Sequence, residues 1–207
     1  MIQMCIVSGG NVLIQRVVND LGTSAIAANT AAGRIEGYLF VPAQGLNNGI
    51  STFSGQNIGA GKPERVRSGR RKARSILVPV AVVLAVFLFI FARQLIALFG
   101  VEGDALELGI RHLRFIAPFF AFFCLYMSNA GVLTGTGDVK AASVVTLVVL
   151  AVRVALTYLF CYAFHMGFAA LYVPNPIGWV VGLLVSFIRF RGGKWESMSV
   201  GKNQIEA

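Results

Sequence analysis

The chain has 207 residues, of which 56% are hydrophobic and only 13% charged, with a formal net charge of +9 and a mean hydropathy of +0.72. A soluble domain carries about 25% charged residues, so the composition excludes an ordinary soluble fold and describes an all-α, polytopic membrane protein whose first partner is the lipid bilayer. The positive balance does not describe a nucleic-acid binder, because the cations stand in short gaps between apolar runs and not across a folded polar surface.

A helix needs about 20 mostly apolar residues to cross a hydrocarbon core about 30 Å thick. The opening MIQMCIVSGG lacks the basic region of a cleavable signal peptide and runs straight into apolar sequence, so the first span is expected at about 2–18. Asn11 and Gln15 lie on it, four residues apart and hence on one helix face.

The second span, about 25–59, is long and polar enough to score poorly by hydropathy. Glu36 lies about 11 residues into it, or roughly 16 Å along the helix, near the bilayer midplane. A carboxylate at that depth faces the bundle interior or a water-filled cavity. It is then either an ion-coupling group or half of a structural ion pair. Arg34, two positions away, points to another face, so Arg153 is the better partner. Gln44 and Asn47 are three apart and share a face, and Asn48 adds a third amide. Such amides bind polar groups of a substrate or a dehydrated cation, or else hydrogen-bond between helices. Pro42 removes a backbone hydrogen bond inside this span and is a hinge candidate. Gly45-x-x-x-Gly49 and Gly55-x-x-x-Gly59 offer small faces for close helix approach.

Seven cations follow: Lys62, Arg65, Arg67, Arg70, Arg71, Lys72 and Arg74, read as a loop over 60–75. The remaining spans are expected at about 76–98, 110–134, 142–164 and 170–190, giving a six-helix unit over 1–196 and a tail over 197–207. Arg153 interrupts the apolar run of the fifth span and needs a carboxylate, carbonyls or water. The loops at 60–75 and 135–141 and the C-terminal end hold twelve Lys and Arg, the last five being Lys140, Arg189, Arg191, Lys194 and Lys202. The gaps at 19–24, 99–109 and 165–169 hold none. Cytoplasmic loops collect Lys and Arg, so both termini are expected in the cytoplasm of a plasma-membrane protein, with Trp195 as an interfacial anchor.

Soluble motifs fail on inspection. GQNIGAGKPE has Gln56 and Pro63 where a phosphate-binding loop needs Gly and Ser or Thr, and a dinucleotide fingerprint fails at Glu64. His112 and His165 stand at span ends without metal-ligand spacing, and Cys5, Cys124 and Cys161 are read as packing residues. No nucleophile–base set or paired acids are visible, so an enzyme, a metal centre or an organic cofactor is not expected.

DLGTSAIAANTAAGRIE at 20–36, PAQGLNNGISTFSGQNIGAGKPER at 42–65 and RFIAPFFAFFCLYMSNAGVLTGTGDVKAAS at 114–143 follow one another in order, with Arg153 and a closing basic stretch behind them. Over about 8–196 the chain resembles the C-terminal six-helix half of a MATE (multidrug and toxic compound extrusion) transporter. The resemblance implies a carrier of two six-helix lobes that exports small organic, mostly cationic substrates against an H+ or Na+ gradient. It also implies a missing N-terminal lobe, or a second copy, as partner. Sodium-using members place acids in the first and fourth helices of this lobe. Here the fourth span has none and the first offers only Asp20 beyond its outer end, so coupling would fall to Glu36 or to the other lobe. A flippase for lipid-linked precursors or polysaccharides, favoured by Arg34 and Arg153, and a non-functional fragment are the alternatives.

Overall fold

Apolar runs long enough for several helical turns, broken by glycine, dictate a sequence of rods. In a computed structural model that describes residues 2–193 and Trp195, without the side chains of Ile2 and Met4, six such rods form. The tail at 197–207, which includes Lys202, lies outside the described residues, as does Lys194. The rods are α1 (Ile2–Asp20), α2 (Thr23–Gly59), α3 (Pro63–Ala97), α4 (Gly103–Ile116) with α5 (Phe120–Gly135), α6 (Val139–Tyr158), and α7 (Ala169–Tyr172) with α8 (Pro174–Arg191). Gly61 at φ +68 and Gly137 at φ +87 make the left-handed turns before α3 and α6, a conformation that costs glycine nothing sterically.

Three boundaries differ from expectation for local reasons. The basic stretch 63–74 is helical, so the turn shrinks to the residues around Gly61. Pro63 at the start and Glu64 in the first turn favour helix there. Pro118 cannot donate to the helical ladder, and the fourth rod passes through a 3-10 turn, Ala117–Phe119, between α4 and α5. After α6 the helix widens into one π turn, Leu159–Ala163.

Four rods, Pro63–Ala97, Gly103–Gly135, Val139–Ala163 and Ala169–Arg191, are long and apolar enough to cross a membrane. The amides, glycines and charges of α1 and α2 leave those two below that hydropathy. The chain is thus a helical membrane protein whose first two rods are its most polar.

α5 is the central helix, with α2, α3 and α8 packed around it, while α6 lies on α8 and α1 rests mainly on α6. α2 and α5 approach closely, and of the four glycines expected only Gly55 takes part, a side chain there meeting the Gly135 carbonyl. Gly45, Gly49 and Gly59 face open space. Gly131 and Gly135 of α5 supply the small surface instead, pressed against Asn47 and Ser51 of α2. Asn47, Ser51 and Gly55 repeat every four residues and form the stripe of α2 that meets α5, so the α5 glycines are where a side chain would collide.

Below that contact Asp138 accepts from the backbone N–H of Ala141 at 3.4 Å, capping α6, and pairs with Arg189 of α8 at 2.7 Å. Trp195 is not an interfacial anchor: it is fully buried, stacked on Phe190 with ring centroids 4.6 Å apart, and donates to the Phe190 carbonyl at 3.0 Å. Cys124 and Cys161 are buried as expected, whereas Cys5 is exposed.

Candidate functional site

Glu36, Phe40 and Gln44 repeat every four residues along α2, so one stripe of that helix faces a single cavity of about 360 Å³. α1 adds Asn11, α6 adds Arg153, and α8 adds Asn175 and Trp179. One wall is aromatic: Phe40 stacks on Phe123 at 4.2 Å between ring centroids, and Phe123 meets Trp179 at 5.3 Å. The cavity therefore combines a flat apolar wall, three amides, one carboxylate and one guanidinium.

The carboxylate does not close an ion pair with Arg153. Its near neighbour is His112 of α4, with Glu36 Oε1 2.8 Å from His112 Nε2 and both side chains largely buried. The contact is short but misaligned: neither that oxygen nor either ring nitrogen completes a hydrogen bond. Tyr172 stacks on the imidazole at 5.0 Å and Phe168 meets it edge-on at 6.0 Å, so the ring is gripped by aromatic faces. Arg153 is in the same cavity with its Nε buried and without a hydrogen-bond partner.

The other expected residues go elsewhere. Gln15 donates to Asn19 at 3.0 Å on the exposed side of α1, so it does not join Asn11. Asn48 accepts from Gln44 at 3.3 Å but does not line the cavity. Asn47 does not share the surroundings of Gln44: it belongs to the α2–α5 contact, its Oδ1 buried and unpartnered. Arg34 lines an outer groove with Glu102. Pro42 is exposed, and α2 continues helical through it.

His112 is the residue that sequence reasoning missed, having placed it at a span end. α4 begins at Gly103, nine residues earlier, and its buried positions include Ala105, Gly109, His112 and Ile116. That spacing of four, three and four marks a core-facing stripe, and the signal was present in the sequence.

The MatE family model matches residues 1–159. The chain belongs to the MatE family. Among its MatE relatives are the probable multidrug resistance protein YpnP of Bacillus subtilis (strain 168), 27% identical over 205 residues, and the probable multidrug resistance protein NorM of Thermotoga maritima, 22% identical over 200 residues. Each alignment covers 96% of this chain, but only 44% of the first relative and 43% of the second. A crystal structure of MATE in the bent conformation superposes with a TM-score of 0.85 at 22% identity, over 95% of this chain and 44% of that one. The chain has the MatE fold and spans less than half the length of these relatives.

Proposed function

We propose that this chain forms one wall of an exporter for small organic, cationic substrates, driven by protons through the Glu36–His112 pair. The observation that carries the reading is that pair, set at the edge of an amide-bearing cavity with an aromatic wall. A flat cation gains from the faces of Phe40, Phe123 and Trp179 and from one carboxylate. The same carboxylate, when protonated, loses its hold on the cation. A proton and a substrate therefore compete for one group, which is what antiport requires. Proton is preferred over sodium because one carboxylate lines the cavity and its close neighbour is an imidazole, which can exchange a proton but offers no oxygen ligand to a sodium ion. No cofactor has a role in this scheme.

In this reading all six rods cross the plasma membrane with both termini cytoplasmic. α1 and α2 tolerate their polarity because they face the cavity and a second six-helix unit. Val12, Tyr38 and Val41, at 68%, 75% and 64% exposure, lie on the faces that such a unit would cover. That unit is the missing lobe or a second copy, since alternating access needs two bodies moving about one site. The alternative of a flippase for lipid-linked precursors or polysaccharides loses support, because Arg34 lies in the outer groove and, among the described residues, Arg153 is the one cation lining the cavity.

The test is Glu36→Gln in the complete transporter, assayed for substrate efflux with and without an imposed proton gradient. Loss of gradient-driven efflux with retained substrate binding is expected. Unaltered proton-driven efflux would remove Glu36 as the coupling group.

A further inference from the structure

α3 and α8 both pack on α5 and part at the basic end of the bundle, leaving a cleft of about 560 Å³ outside the cavity described above. Arg67, Arg70, Arg71, Arg74 and Arg191 line it, and among the described residues no carboxylate does. Two of these guanidinium groups are built into the protein. Arg70 is 7% exposed, lies 3.6 Å from the centre of the Phe190 ring, and donates from Nε to Asn129 Oδ1 at 3.0 Å. Arg74 donates from Nη2 to the same oxygen at 2.8 Å. Asn129 is fixed in turn by donating to Ser186 Oγ at 3.1 Å. One amide oxygen thus serves two cations, and Arg70 Nη2 and Arg74 Nε remain buried without a partner.

Like charges held this close repel, and buried guanidinium N–H groups left unpaired are costly. A phosphate relieves both, because its oxygens accept forked hydrogen bonds from several arginines. The surroundings say what carries the phosphate. From the cleft toward the apolar parts of α3 and α8, Val78, Leu184 and Ile188 are 37%, 56% and 69% exposed. An anion seated among the arginines would have its hydrocarbon against those residues. We propose that this cleft binds the phosphate of an anionic phospholipid, with the acyl chains lying along α3 and α8. A basic pocket between helices at the membrane surface suits such a headgroup.

The experiment uses the purified, delipidated chain in neutral detergent and follows its melting temperature as lipid is added. Phosphatidylglycerol should raise it and phosphatidylcholine should not. Arg71 and Arg191 are exposed and make no hydrogen bond to Asn129, so the double variant R71Q/R191Q should fold. It should weaken the phosphatidylglycerol effect about tenfold or more. The double variant K62Q/R65Q removes two exposed charges that do not line the cleft, and it should leave that effect unchanged. Circular dichroism checks that both variants keep their helix content. Equal shifts from the two lipids, or equal losses in the two variants, would overturn the site. Inorganic phosphate protecting the chain as well as phosphatidylglycerol does would overturn the lipid assignment and leave a soluble phosphate as the ligand.

Discussion

Two buried polar clusters, each with unpartnered guanidinium nitrogens, differ in how they join their helices. At the basic end, Asn129 accepts from Arg70 and Arg74 and donates to Ser186, so α3, α5 and α8 are tied through one side chain. In the cavity, Glu36 and His112 sit 2.8 Å apart without an aligned hydrogen bond, and Arg153 keeps an unpartnered Nε. A network with well-made bonds fastens helices. A loosely satisfied group can change protonation or partner at low cost. The comparison teaches where in one lobe to look for rigidity and where for switching.

The sharpest way to break it is Asn129→Leu. That change leaves Arg70 and Arg74 without their shared acceptor and should cost about 3 kcal/mol, read as a fall in melting temperature of the detergent-solubilised chain. A fall of under about 0.5 kcal/mol, the scale of an inconsequential surface change, would mean the network fastens nothing. Next comes the apolar counterpart of the same fastening, Gly135→Ala, whose new methyl group would meet the Ser51 backbone of α2. Overpacking of about 1–3 kcal/mol is expected, whereas Gly45→Ala, facing open space, should not destabilise.

On the other side of the comparison, His112→Asn should leave stability little changed while altering function. In the complete transporter it should flatten the dependence of efflux on pH, because the side chain 2.8 Å from Glu36 could no longer accept a proton. An unchanged pH profile would show that His112 acts only as packing beneath Glu36.

The sequence was informative in proportion to how locally each feature is determined. Six helices, and the polarity of the second, follow from apolar runs and glycine turns. Membership of Glu36, Gln44, Asn11 and Arg153 in one cavity could be anticipated because each is a polar residue in a span. Their partners could not be, since α4 reaches α2 only in the folded bundle, and a span counted from its first strongly apolar residue put His112 at an end. Gly45, Gly49 and Gly59 of α2 misled for a related reason, whereas Gly55 does meet α5. Small residues permit close packing, but which of them are used depends on where the neighbouring helix crosses, and α5 crosses at Asn47, Ser51 and Gly55.

The smallest expected effect separates two amides that the sequence placed together. Asn11 and Gln15 stand one helical turn apart on α1, yet the first lines the cavity and the second bonds Asn19 on the exposed side. An exposed bond between residues four apart contributes about 0.2–0.5 kcal/mol, so Gln15→Leu should shift the stability of the solubilised chain by no more than that. Asn11→Leu puts an apolar group into the cavity without removing a hydrogen bond from the core, so its stability should be just as little changed. The two variants should part only in substrate binding by the complete transporter, where Asn11→Leu weakens it and Gln15→Leu does not. If both weaken it, the substrate path extends along α1 beyond the cavity. If neither does, binding rests on α2, α5, α6 and α8, and α1 is left as a supporting wall.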